Sequence, residues 1–127
     1  MELAVISGYS YKFAYTRPMA ILANFLTDDV GKKDISFIVN WIENDSCKDI
    51  KLNYSYLRKS VNKVYIYFLY DGYDIEQNEK RERFETSKED LVSILRQWEK
   101  MREKSSHLIF LNKKENKTYI SIDKIDS

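Results

Sequence analysis

The spacing of apolar side chains changes repeatedly along this chain, and each change marks an element. From Glu2 to Tyr15 the pattern alternates loosely through Leu3, Val5, Tyr9, Tyr11, Phe13 and Tyr15, predicting one or two short strands around Ser7-Gly8. A helical period follows. Thr16 is placed to cap a helix, and Pro18 falls in its first turn, where a missing N–H is harmless. Met19, Leu22, Phe25 and Leu26 form its apolar face, and Gly31 ends the run as a helix-terminating glycine does. Asp34 is placed to cap a second helix with Ile35, Ile38, Val39 and Ile42 on one face and Phe37 and Trp41 beside it. Asn44-Asp45-Ser46 has the composition of a loop, so the two helices predict an αα-hairpin.

Alternation then returns. Leu52, Tyr54 and Tyr56 predict a half-exposed strand within residues 51–59, while VYIYFLY at 64–70 is apolar on both faces and predicts a central strand buried on both sides. Residues 60–63 form the turn between them, and Asp71-Gly72 ends the second strand. Residues 74–83 are the most polar stretch, and Arg83-Phe84-Glu85 predicts a short edge strand. Thr86 and Glu89 have capping-box spacing and open an amphipathic helix. Leu91, Leu95 and Trp98 line its apolar side, supported by Val92, Ile94 and Met101. Glu89, Arg96, Glu99, Arg102 and Lys104 are expected in solvent. Residues 107–111 and 118–122, joined by a lysine-bearing polar segment, predict a β-hairpin. Few spacings suit βαβ units. The expected fold is α+β: a mostly antiparallel sheet with an N-terminal helix pair and one long amphipathic helix packed on it.

Length and composition fit one globular domain over residues 1–127: 43% of positions are hydrophobic, 32% are charged, and there are only three glycines and one proline. Cys47 is the only cysteine, which excludes an intrachain disulfide and suggests a reducing compartment. The first residues lack the basic and apolar regions of a signal peptide. No stretch approaches the roughly 18 apolar residues of a spanning helix. The expectation is therefore a cytoplasmic protein that does not engage a membrane. A formal net charge of +1 lacks the basic excess with which nucleic-acid binders neutralise phosphates, so direct nucleic-acid binding is not expected.

Catalytic chemistry finds few footholds. One His and one Cys cannot supply the usual zinc sets, and Gly8, Gly31 and Gly72 are too dispersed for a phosphate-cradling loop. His107 is the only candidate base and opens an apolar run, where a solvent-facing strand-end residue is the plainer reading. Cys47 reads as an incidental thiol, although the neighbouring Lys48 is a group that can lower a thiol pKa. No catalytic residue, metal site or cofactor is expected. Ten tyrosines fit either strand preference or interface anchoring. The stretch after the central strand is locally negative, and Asp71, Tyr73, Asp74, Glu76 and Glu79 are the expected partner-binding residues, suited to a basic cleft. Asp28-Asp29 reads as helix capping and solubility, or as an extension of that acidic rim.

Three stretches carry a resemblance: RPMAILANFL at 17–26, FIVNWIEN at 37–44, and FETSKEDLVSILRQWEK at 84–100. They resemble the small immunity proteins of bacterial contact-dependent growth inhibition and other polymorphic toxin systems. That resemblance implies tight binding to one cognate toxin, frequently a nuclease, in the cytosol of the producing cell; the expected function is stoichiometric occlusion of the toxin C-terminal domain by a protein that is a monomer or weak homodimer. The resemblance assigns no individual residue. Two alternatives stand beside it. One is a small carboxylate-dependent enzyme; the other is a homo-oligomeric regulatory protein pairing through residues 51–59 or the terminal hairpin.

Overall fold

Local signals place most of the element boundaries in the computed structural model, which describes residues 2–8, 11–69, 82–103 and 107–124. Strands β1 (Leu3–Ser7) and β2 (Tyr11–Ala14) pair antiparallel. Gly8, directly after β1, takes a φ of +58°, a left-handed conformation that a side chain disfavours. The Thr16 hydroxyl accepts the Met19 N–H at 3.4 Å and starts helix α1 (Arg17–Asn24). The helix does not stop there. Phe25–Val30 continues as a wider π-helical segment, closed by a Gly31 N–H that donates to the Leu26 carbonyl at 2.8 Å. Thr27 Oγ1 donates to the Ala23 carbonyl at 2.9 Å, a side-chain bond of the kind that loosens the regular ladder. The Asp34 carboxylate takes the Ser36 N–H at 2.8 Å and opens helix α2 (Ser36–Glu43).

Strands β3 (Asp49–Lys51), β4 (Ser55–Lys59), β5 (Lys63–Phe68) and β6 (Phe84–Ser87) form one sheet in that order. Helix α3 (Lys88–Met101) follows, then the hairpin β7 (His107–Lys114) and β8 (Lys117–Lys124). The hairpin joins the N-terminal strands in a second sheet, ordered β2-β1-β7-β8. The α+β expectation holds, with the antiparallel strands divided between two four-stranded sheets. Helix α1 packs on strands of both sheets, as does α3, so the helices fill the layer that the sheets share. Trp98, Phe25, Phe84, Ile6, Ile66 and Leu91 are fully buried there. Each such side chain stabilises the fold by roughly 1.5–3 kcal/mol relative to leaving it in water.

Three local expectations are corrected. Residues 51–59 are two strands, because Leu52 N–H donates to the Ser55 carbonyl at 2.8 Å and closes a turn between β3 and β4. The inward face of β4 is consequently Ser55, Leu57 and Lys59, and the tyrosine face is the outer one. The helix cap is Ser87, one residue later than the Thr86–Glu89 spacing suggested: its hydroxyl accepts the Asp90 N–H at 3.0 Å. Thr86 stays in β6, buried, and donates instead to Asp90 Oδ2 at 2.6 Å. Arg102, expected in solvent, is only 9% exposed. Its guanidinium donates to the Lys33 carbonyl at 2.6 Å, and the Trp98 indole N–H donates to the Gly31 carbonyl at 2.9 Å. The end of α3 thus satisfies carbonyls left over where the π-helical segment stops.

A buried lysine performs the same service for α2. Lys59 is 9% exposed, and its ammonium donates to the carbonyls of Trp41 and Asp45 while lying 4.7 Å from the Trp41 ring centroid. Its apolar stem packs from β4 and its charge meets the negative end of the helix.

Candidate binding surface

Strand alternation divides the β2-β1-β7-β8 sheet into two unlike faces. Ala4, Ile6, Ile109, Leu111, Thr118 and Ile120 point inward and are buried. The opposite face carries apolar and aromatic groups in cross-strand rows. Phe13, Val5, Phe110 and Ser121 form one row by direct pairing; Leu3, Asn112 and Tyr119 form the next, beside Tyr15. Phe13 is 46% exposed, Tyr15 58% and Tyr119 52%, with Leu3, Val5, Leu108 and Phe110 half-buried among them. The rings of Phe13 and Tyr15 meet edge-to-face with centroids 5.1 Å apart. Helices α1 and α3 pack on the inward side of the sheets and α2 packs on α3, while Phe13, Tyr15 and Tyr119 on this face stay exposed among the described residues. A contiguous aromatic and aliphatic patch of this kind is what interaction surfaces share.

The sequence displayed half of this. Alternation in β1 and β2 is visible, but nothing local says which half of it faces inward. In β7 the run LIFL is apolar on both faces, which signals a need for cover on each side, and Phe110 holds the side that the helices do not reach.

The partner-binding residues expected from sequence, Asp71, Tyr73, Asp74, Glu76 and Glu79, lie outside the described residues. Asp28 and Asp29, considered as part of the same rim, separate in role. Asp28 takes the Lys12 ammonium at 3.0 Å. Asp29 is 7% exposed and its Oδ1 accepts the Tyr54 N–H at 2.9 Å, so it anchors the β3–β4 turn to the π-helical segment. Tyr67 is buried and Tyr65 half-buried under the Arg83 guanidinium, 4.7 Å from the ring centroid, so the second face of β5 is covered as its sequence requires.

Two pairs of charged groups on the other sheet are committed to each other. Asp49 accepts from Arg58 Nε at 2.9 Å, Arg58 Nη2 at 3.0 Å and the Tyr56 hydroxyl at 2.6 Å. The Arg58 hydrogen bonds hold the Asp49 carboxyl below its ordinary range, and burial followed by the Asp49 hydrogen bond pushes the Tyr56 phenol up. Lys63 and Glu85 pair at 2.9 Å across β5 and β6, which lowers the Glu85 carboxyl. Cys47 is exposed, and the Asp45 carboxylate beside it pushes the thiol up, opposite to the lowering its neighbouring lysine suggested.

A concavity of about 660 Å³ runs between α2 and α3. Ile35, Val39 and Phe37, the last 56% exposed, supply its apolar part, and Asn40, Glu43, Arg96 and Glu99 are among its polar groups. It lacks the continuous aromatic character of the sheet face. Among the described residues no three His, Cys, Asp or Glu side chains converge as a metal site would, and no helix is long and apolar enough to cross a membrane. Comparison with known proteins found no matching family model, no matching curated protein and no matching solved structure.

Proposed function

We propose that this chain is a protein-binding domain that acts as a cytoplasmic immunity protein, neutralising a cognate toxin domain by stoichiometric occlusion. The observation that supports a binding role is the open sheet face on which Phe13, Tyr15, Phe110 and Tyr119 stand with Val5 and Leu108. Aromatic side chains there offer large contact area at little rotamer cost, and interface affinity concentrates on a few such anchors. The class of partner comes from the resemblance of residues 17–26, 37–44 and 84–100 to immunity proteins of polymorphic toxin systems. In this reading the acidic segment with Asp71, Tyr73, Asp74, Glu76 and Glu79 supplies rim charges, which act mainly on association rate.

The test is the purified chain mixed with the toxin domain encoded beside it. A complex with one toxin domain per chain, together with loss of toxin activity, is expected. Replacing Phe110 and Tyr119 together by serine, at positions on the open face, is expected to weaken binding about a hundredfold, from roughly 1–2 kcal/mol per anchor. The melting temperature should stay within a few degrees of the parent. If the pair forms no complex, or the double variant binds unchanged, the proposal fails.

A further inference from the structure

Every sheet has two edges, and an unpaired edge strand invites another strand to join it unless something blocks the approach. Among the described residues three of the four edges in this molecule are each covered in part or carry charge at their outward positions. On the first half of β8, the outward N–H of Thr118 donates to Asp90, and Gln97 takes both the Thr118 carbonyl and the Ile120 N–H. On β6, the Lys113 ammonium covers the Glu85 carbonyl at 2.7 Å. On β3, the strand is three residues long and its two outward positions are the charged Asp49 and Lys51.

Strand β2 is different. The Tyr15 N–H donates to the Leu3 carbonyl at 3.0 Å, so by antiparallel alternation Phe13 and Tyr15 hydrogen-bond toward β1. The N–H and C=O groups of Lys12 and Ala14 therefore point away from the sheet, and none of them meets a partner among the described residues. A lysine on an edge is normally the residue that repels an incoming strand. Here it is withdrawn: Lys12 Nζ is tied down to Thr27 Oγ1 and Asp28, each at 3.0 Å.

We propose that β2 pairs antiparallel with β2 of a second copy of this chain, about a two-fold axis through Phe13. This register sets Lys12 opposite the partner's Ala14, so all the outward N–H and C=O groups of both strands are matched. It also keeps like charges apart, because each lysine faces an alanine and its ammonium is already neutralised by Asp28. The two Phe13 side chains become a directly opposed, non-hydrogen-bonded pair, the closer of the two antiparallel spacings, and extend the aromatic row across the axis. The two sheets join edge to edge. Four residues of strand per copy make a small contact, so association in the micromolar range is expected.

The pairing rests on the geometry of β2 and not on the toxin-binding reading, whose variants lie on β7 and β8. Because Cys47 is exposed, the test uses the full chain carrying Cys47→Ser. Opposed cysteines at a non-hydrogen-bonded pair, with Cα atoms about 4.5 Å apart, fall within disulfide reach. Phe13→Cys is therefore expected to give a covalent dimer on mild oxidation, whereas Tyr15→Cys, displaced along both strands, is not. In sedimentation equilibrium of the otherwise native chain, a concentration-dependent dimer is expected, weakened tenfold or more by Ala14→Pro, which removes an outward N–H. Circular dichroism reports whether each variant is folded. The proposal is overturned if Phe13→Cys crosslinks no better than Tyr15→Cys, or if the native chain stays monomeric. A monomer whose toxin binding is weakened by Ala14→Pro would assign the edge to a foreign strand instead.

Discussion

Asp49 shows how one side chain acquires a measurable role from its neighbours. Two nitrogens of Arg58 and the Tyr56 hydroxyl donate to it, at a site where the Asp49 and Arg58 side chains are 26% and 23% exposed. Those donors favour the charged carboxylate, so its folded pKa lies below the ordinary 3.8. The sign of the pH effect follows. The interaction contributes stability above the unfolded pKa, and that contribution disappears as the pH falls from about 4 through the lower folded value. Asp49→Asn is expected to cost about 1 kcal/mol at neutral pH, in keeping with a partly exposed bidentate pair. Thermal melts from pH 7 to pH 2 should show the gap between parent and variant closing at the acid end. A gap that stays constant across that range would separate the stability of β3 from the charge on Asp49.

At the scale of the element, α3 is as much an edge cover as a core helix. Leu91, Ile94, Leu95 and Trp98 fill the interior, while Asp90 and Gln97, on the flank toward β8, take up the outward N–H and C=O of Thr118 and the N–H of Ile120. Gln97→Leu keeps the apolar bulk and leaves the Thr118 carbonyl and Ile120 N–H without their side-chain partners, a loss of roughly 1–3 kcal/mol if they stay dry. Hydrogen exchange of the Ile120 amide is expected to accelerate, with the amides paired between β7 and β1 little changed; unaltered exchange at Ile120 would show that the helix backbone alone shields the edge. This role also marks where sequence legibility ends. The period of α3, the breaks at Gly31 and after Glu43, and the terminal hairpin all follow from local spacing and capping, which is why the α+β class could be read. Gln97 looks like any solvated helix residue until β8 is beside it, and Arg102 looks solvated until the Lys33 carbonyl is. The split of the strands into two sheets has no local signature at all, because it depends on β1 pairing with β7 across more than a hundred residues. The aromatic face was half legible for the same reason: alternation shows that two faces exist, and only the packing of the helices decides which one stays open.

For the whole molecule, two contacts of different physical character are proposed on adjoining surfaces, and salt separates them. The near-balanced charge of +1 gives no long-range repulsion between copies, so their association depends on short-range groups. Pairing through β2 uses backbone hydrogen bonds and the Phe13 rings, with the nearest ammonium already neutralised by Asp28. Screening has little to act on there, and added salt favours apolar burial. A toxin met partly through rim carboxylates behaves in the opposite way, because exposed charges separated by several ångströms are progressively screened as the Debye length shrinks from about 10 Å at 0.1 M to 3 Å at 1 M. Self-association measured by sedimentation is therefore expected to hold or strengthen between about 0.1 M and 1 M sodium chloride, while toxin association slows over the same range. A dimer that dissociates with rising salt would mean that charged groups, and not the β2 edge with Phe13, hold the copies together.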